Sequence, residues 1–126
     1  MRLQLLLASF VTLTMATFCT AAETAAEAAR SPGDMSVDER MSMMKTASLY
    51  DNCVYSQAIA KVGEFPDIRQ AADFAMGECQ EKLGDLENAI TGMGFGADFA
   101  NAFSKRVRNR AVRKLIPELA VRKAGG

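Results

Sequence analysis

The chain has no histidine, only three cysteines and only two tyrosines among its 126 residues. Without an imidazole it lacks the commonest general base, and a structural zinc site would have to rely on carboxylates beside thiolates, a poor ligand set. No CxxC pair is present for redox exchange. Nothing alternates like a strand for more than a few residues, and no internal repeat is visible. Catalysis is left with scattered carboxylates such as Asp51, Asp73 and Glu78. Asp51, beside Tyr50 and Tyr55, is a candidate buried acid, although capping and surface roles are commoner for such a residue. The expectation is a protein that is not an enzyme and carries no cofactor.

Bulky apolar residues are missing from ETAAEAARSPGD, Glu23 to Asp34. Such a segment buries little, so residues 23–35 read as a flexible leader. Residues 1–22 have the form of a signal peptide. Arg2 gives the positive start, Leu3 to Phe18 is uncharged and mostly apolar, and small residues follow at Cys19 and Ala21, or Thr20 and Ala22. The apolar run, about 16 residues, is short of the roughly 20 that a bilayer core requires. Bulky Phe18 argues against lipid attachment at Cys19. Cleavage would leave a periplasmic or secreted chain with no transmembrane segment, and a single helical domain over residues 36–126.

Export would remove Cys19 and leave Cys53 and Cys79 as the only thiols. A lone pair in an oxidising compartment is read first as a disulfide. The helical pattern supports that reading. SVDE, Ser36 to Glu39, has the form of a capping box, and a first helix is predicted from there to about Val62, ended by a left-handed Gly63. Its apolar residues cover three sides, with Met41, Met44, Tyr55, Ile59 and Val62 on one and Met43, Ala47, Tyr50, Val54 and Ala58 on another. That distribution predicts a helix buried between others. GEFPD is a turn, with Asp67 capping a second helix and Gln70 placed to complete a capping box. Along that helix Ala72, Met76, Cys79, Leu83, Leu86, Ile90 and Met93 form one seam. Cys53 lies 10 residues before Gly63 and Cys79 lies 12 after Asp67. At 1.5 Å per residue, an antiparallel hairpin brings the two level to within about 3 Å.

A third helix is predicted from Ala97 to Leu115, with Phe99, Phe103, Val107, Ala111 and Leu115 recurring every four residues. Pro117 interrupts it, and a short last helix can restart there and run to Lys123. The expected fold is therefore all-α: a disulfide-tied antiparallel hairpin with a third helix and a short C-terminal helix packed on it.

Charge divides unevenly along the chain. Glu23 to Asp98 holds 14 acidic and 6 basic residues, whereas Phe99 to Gly126 holds 8 basic and 1 acidic. SKRVRNRAVRK concentrates Lys105, Arg106, Arg108, Arg110, Arg113 and Lys114 within eleven positions. This face either docks on the acidic hairpin of its own chain, stays solvated, or meets an anionic surface or partner. The charge balance favours the self-docked or solvated face. Nucleic acid is not expected, because no aromatic alternates with the cations to stack bases.

MSMMK places Met41 and Met44 one turn apart, where two soft thioethers could hold copper. Packing is the ordinary use of such residues. GMGFG, Gly92 to Gly96, follows a helix and lacks the Lys-Ser/Thr pair of a phosphate loop, so it reads as a hinge with Phe95 turned into the core.

Taken with the signal peptide and the basic C-terminal helix, LYDNCVYSQA and FAMGECQEKL on the two arms of a capped hairpin resemble a known class. It is that of small exported all-helical proteins of Gram-negative bacteria, most without an assigned activity and some virulence-associated. In size, helicity and single disulfide the chain is also similar to acid-activated periplasmic chaperones, from which its cysteine spacing departs. What these resemblances imply is a non-enzymatic interaction protein of the periplasm or secreted space, or alternatively a small chaperone or stress protein. The implied partner is a protein or an anionic envelope or host surface.

Overall fold

The computed structural model describes residues 28–125, so the expected signal peptide and Cys19 lie outside the described residues. A 3-10 turn at Pro32–Asp34 leads into α1 (Val37–Lys61), followed by α2 (Ile68–Glu78), α3 (Gln80–Gly92) and α4 (Ala97–Ala124). There is no strand among the described residues, only an isolated bridge between Arg30 and Phe95.

The start of α1 is fixed by the capping box. Ser36 Oγ accepts from Glu39 N at 3.2 Å, while Glu39 Oε2 accepts from Ser36 N at 2.9 Å. At its other end the chain tightens into a 3-10 turn at Val62–Glu64, with Val62 buried. Gly63 is not left-handed, contrary to the sequence expectation; the positive-φ glycine is Gly94, at 87°. Pro66 supplies the stop instead, because it disfavours the helical region for Phe65, which is extended at φ −108° and ψ 138°. Asp67 Oδ1 then accepts from Arg69 N at 2.8 Å and caps α2; no reciprocal Gln70 bond accompanies it.

The predicted second helix is broken once, at Cys79, whose φ and ψ are −98° and 9°. Gly77, a poor helix former, lies two residues before the break. The seam nevertheless continues across it. Ala72, Met76, Cys79, Leu83, Leu86 and Ile90 are all buried, and Met93 packs against them. Cys53 and Cys79 are joined across the hairpin with their Cα atoms 5.9 Å apart.

α4 corrects the expectation of a separate last helix, since it runs unbroken through Pro117. Proline costs a helix interior about 3 kcal/mol through a lost hydrogen bond and a clash with the carbonyl four residues back. Here Pro117 is exposed, so water can satisfy that carbonyl, while Leu115 and Leu119 on either side are buried and hold the two halves in line.

Asp51 pairs with Arg110, and Tyr55 and Ile59 share a groove with Glu118 and Val121. Residue numbers thus rise together along α1 and α4, which run parallel. α2 and α3 run back between them, giving an up-down-up bundle. Ala71, Ala72 and Ala75 are buried on α2 and leave room for close approach. α1 departs from expectation in that its full burial lies on one stripe, Met43, Ala47, Tyr50, Val54 and Ala58; Cys53 and Ile59 pack against the core from the flanking sides, while Met41, Met44, Leu49 and Tyr55 are exposed.

Candidate interaction surface

The basic segment lies in the middle of α4. Its buried stripe is Ala100, Ser104, Val107, Ala111, Leu115 and Leu119, which turns most of the intervening cations outward. Lys105, Arg106, Arg108, Arg113 and Lys114 are exposed and make no ion pair among the described residues. Arg110 is the exception. It is half-buried, and its Nη2 donates to Asp51 Oδ2 on α1 at 2.9 Å. Among the described residues, clamping of α4 onto the acidic part of the chain therefore consists of this one ion pair, with Asp51 as a partner in it.

α1 and α4 also bury polar atoms. Tyr50 and Ser104 are fully buried, and neither Tyr50 Oη nor Ser104 Oγ makes a hydrogen bond within the described protein; the same is true of Asp51 Oδ1 and Arg110 Nε. Burial pushes the Tyr50 phenol above its ordinary value, against a smaller opposing effect of Arg108.

Beside this contact a groove opens between the two parallel helices. Its lower part, about 280 Å³, is lined by Ser48, Asp51, Asn52 and Tyr55 of α1 and by Ala111, Lys114 and Leu115 of α4, among others. Its upper part, about 490 Å³, runs on past Tyr55 and Ile59 to Glu118, Val121 and Arg122. At the top of α4, Lys123 Nζ donates to the Phe65 carbonyl and ties the last turn to the α1–α2 connection.

Met41 and Met44 are both exposed on α1. Among the described residues no group of three or more His, Cys, Asp or Glu stands close enough to hold a metal ion beside them. GMGFG forms the α3–α4 connection, with Gly94 supplying the positive φ and Phe95 buried, as the sequence suggests.

Sequence reasoning missed a clasp at the opposite end of the bundle. Residues 28–35, read as part of a flexible leader, are anchored from Arg30 onward. Arg30 N donates to Gly94 O at 2.9 Å, and its guanidinium lies 4.7 Å from the centre of the Phe95 ring. Nη1 donates to Glu39 Oε1 at 2.6 Å and to Met93 O at 2.8 Å. Met35 closes the segment against the core. No hydrophobic signal announces this contact, because Arg30 provides it almost alone. Arg30 and then the Ser36 backbone hold the Glu39 carboxyl well below its usual range, at about 2. Its contribution to stability is therefore fully present above the ordinary carboxylate value and is lost progressively as the pH falls from there through about 2.

No described helix is long and apolar enough to cross a membrane. Compared with protein-family models, curated proteins and solved structures, the chain matches none of them.

Proposed function

We propose that this chain is a non-enzymatic, exported interaction protein of the periplasm or secreted space that docks on an anionic envelope or host surface through α4. The observation that carries the reading is the set of five exposed cations, Lys105, Arg106, Arg108, Arg113 and Lys114, that make no ion pair among the described residues. A helix whose charge were used for its own packing would have them paired, and only Arg110 is. The absence of histidine, the joined cysteines and the use of Glu39 within a cap and a clasp support a structural rather than a chemical role.

Binding to phosphatidylglycerol vesicles or to lipopolysaccharide tests it, with phosphatidylcholine vesicles as the neutral control. Binding should weaken steeply from low to physiological salt, because exposed charges are screened beyond roughly 8–10 Å. Joint replacement of Lys105, Arg106 and Arg113 by Gln should abolish it at a nearly unchanged melting temperature, since exposed charges contribute only about 0–1 kcal/mol each. Equal binding to neutral and anionic vesicles, or binding by the Gln variant, would refute the reading.

The exposed apolar residues of α1 favour one second reading, a small periplasmic chaperone. Suppression of a client protein's aggregation at near-stoichiometric ratios, at low pH or in oxidant, is the result expected of a chaperone. An interaction protein leaves the aggregation curve unchanged.

A further inference from the structure

We infer that the outer face of α1 is a self-complementary seam on which a second copy of this chain docks antiparallel, forming a two-fold dimer. The inference is independent of the anionic-surface reading.

Six large apolar side chains are exposed among the described residues, and four of them, Val37, Met41, Met44 and Tyr55, fall on one stripe of α1. Ser48, Asn52 and half-buried Ile59 complete it. Their spacing is three and four residues throughout, the pattern of a helix packed along another helix. Within its own chain α1 packs mainly through a different stripe; this one borders the groove beside α4, with Ile59 alone reaching the core. Val37 and Met41 are 74% and 65% exposed, and Val121, across the groove from Tyr55 and Ile59, is 74% exposed.

The pairing along the stripe and the charges beside it point to the occupant. Taken outward from Ser48, Met44 and Asn52 stand four residues away, Met41 and Tyr55 seven, and Val37 and Ile59 eleven. Any helical face can meet a reversed copy of itself in this way; what favours a second copy here is the apolar and charged pairing that the register about Ser48 gives. In that register Met41 of the second copy faces Tyr55, and Val37 of the second copy faces Ile59 and Val121. Met44 of the second copy lies over Asn52, and the two small Ser48 side chains meet at the crossing.

Charge follows the same register. Arg40, exposed and without an ion pair among the described residues, falls level with Ser56 of the other copy. Glu118, also exposed and without an ion pair, lines that part of the groove. The pairing of Arg40 with Glu118 occurs twice by symmetry. Lys105, Arg106 and Arg113, on other faces of α4, stay outside the seam, so the dimer presents two basic helices.

Sedimentation velocity of the exported chain, with its disulfide intact and over a wide concentration range, should show a reversible monomer–dimer equilibrium. Ser48→Arg sets a cation against its own symmetry mate and should raise the dissociation constant more than about a hundredfold, with helix content unchanged by circular dichroism. Ser48→Cys should form a reducible covalent dimer on mild oxidation much faster than Asn109→Cys, which reports an exposed site of α4 off the seam. A chain that stays monomeric at the highest concentration overturns the inference and leaves the stripe to an unlike partner. So does a dimer insensitive to Ser48→Arg, or equal cross-linking of the two cysteine variants.

Discussion

Replacing both Cys53 and Cys79 by serine should lower the melting temperature by roughly 15–25 °C. The bond closes a loop across 26 positions, and the chain-entropy account gives such a closure about 3–4 kcal/mol of stabilisation. For a domain of this size each kcal/mol corresponds to about 4–8 °C. Cys79 is buried in the seam and Cys53 packs beside it, so the replacements also set hydroxyls in an apolar contact. Thermal melts of the oxidised protein, the reduced protein and the double serine variant separate these effects. The reduced protein isolates the crosslink, and a further drop in the serine variant reports the hydroxyls. A reduced protein that melts within a few degrees of the oxidised one would show that packing alone holds the hairpin. Thiol titration of the unreduced, denatured protein, expected to find almost no free thiol from this pair, accompanies the measurement.

Leu119→Ala should cost about 2–5 kcal/mol, as deletion of a fully buried leucine does elsewhere. The residue lies two positions beyond Pro117, so the result reports whether the end of α4 is part of the cooperative core. Were residues 117–124 a frayed appendage, truncating Leu119 would leave the main unfolding transition unmoved. Denaturant unfolding distinguishes the two outcomes. Pro117→Ala should move the transition the other way, by up to about 3 kcal/mol, because a missing intrahelical bond is restored at an exposed position.

Much of this architecture is legible in the sequence where one signal acts alone. The seam from Ala72 to Ile90 depends only on spacing, and it is intact even though the helix carrying it breaks at Cys79. The pairing of Cys53 with Cys79 follows from arm lengths on either side of one turn. Ser36 and Glu39 form their box because all its donors and acceptors are local.

The features that escaped are decided by a partner far along the chain. Whether Pro117 ends a helix depends on how firmly Leu115 and Leu119 are held by α1, α2 and α3, which no local rule contains. Arg30 is fixed by Glu39, Met93, Gly94 and Phe95, and most of these lie more than sixty positions away. The apolar residues of α1 indicate several sticky sides without saying which side the rest of the chain covers. For the basic helix, composition supplies the cations, while the single pairing of Arg110 with Asp51 emerges only when α1 and α4 are laid parallel.

The crosslink also divides the molecule mechanically. A pull applied to the two ends of the chain passes through the sulfur bridge, and the peptide units between Cys53 and Cys79 carry no tension. Roughly 90 Å of contour, at about 3.3–3.6 Å per residue, stays out of the force path until a reductant opens the bond. That hidden length includes the last third of α1, the turn at Val62–Glu64 and all of α2. A stretched chain would yield α4, α3 and the first two thirds of α1, while the middle of the hairpin survived as a knot-like bead. The same bead would jam in any pore wide enough for only one extended strand, so the oxidised protein cannot be threaded where the reduced one can.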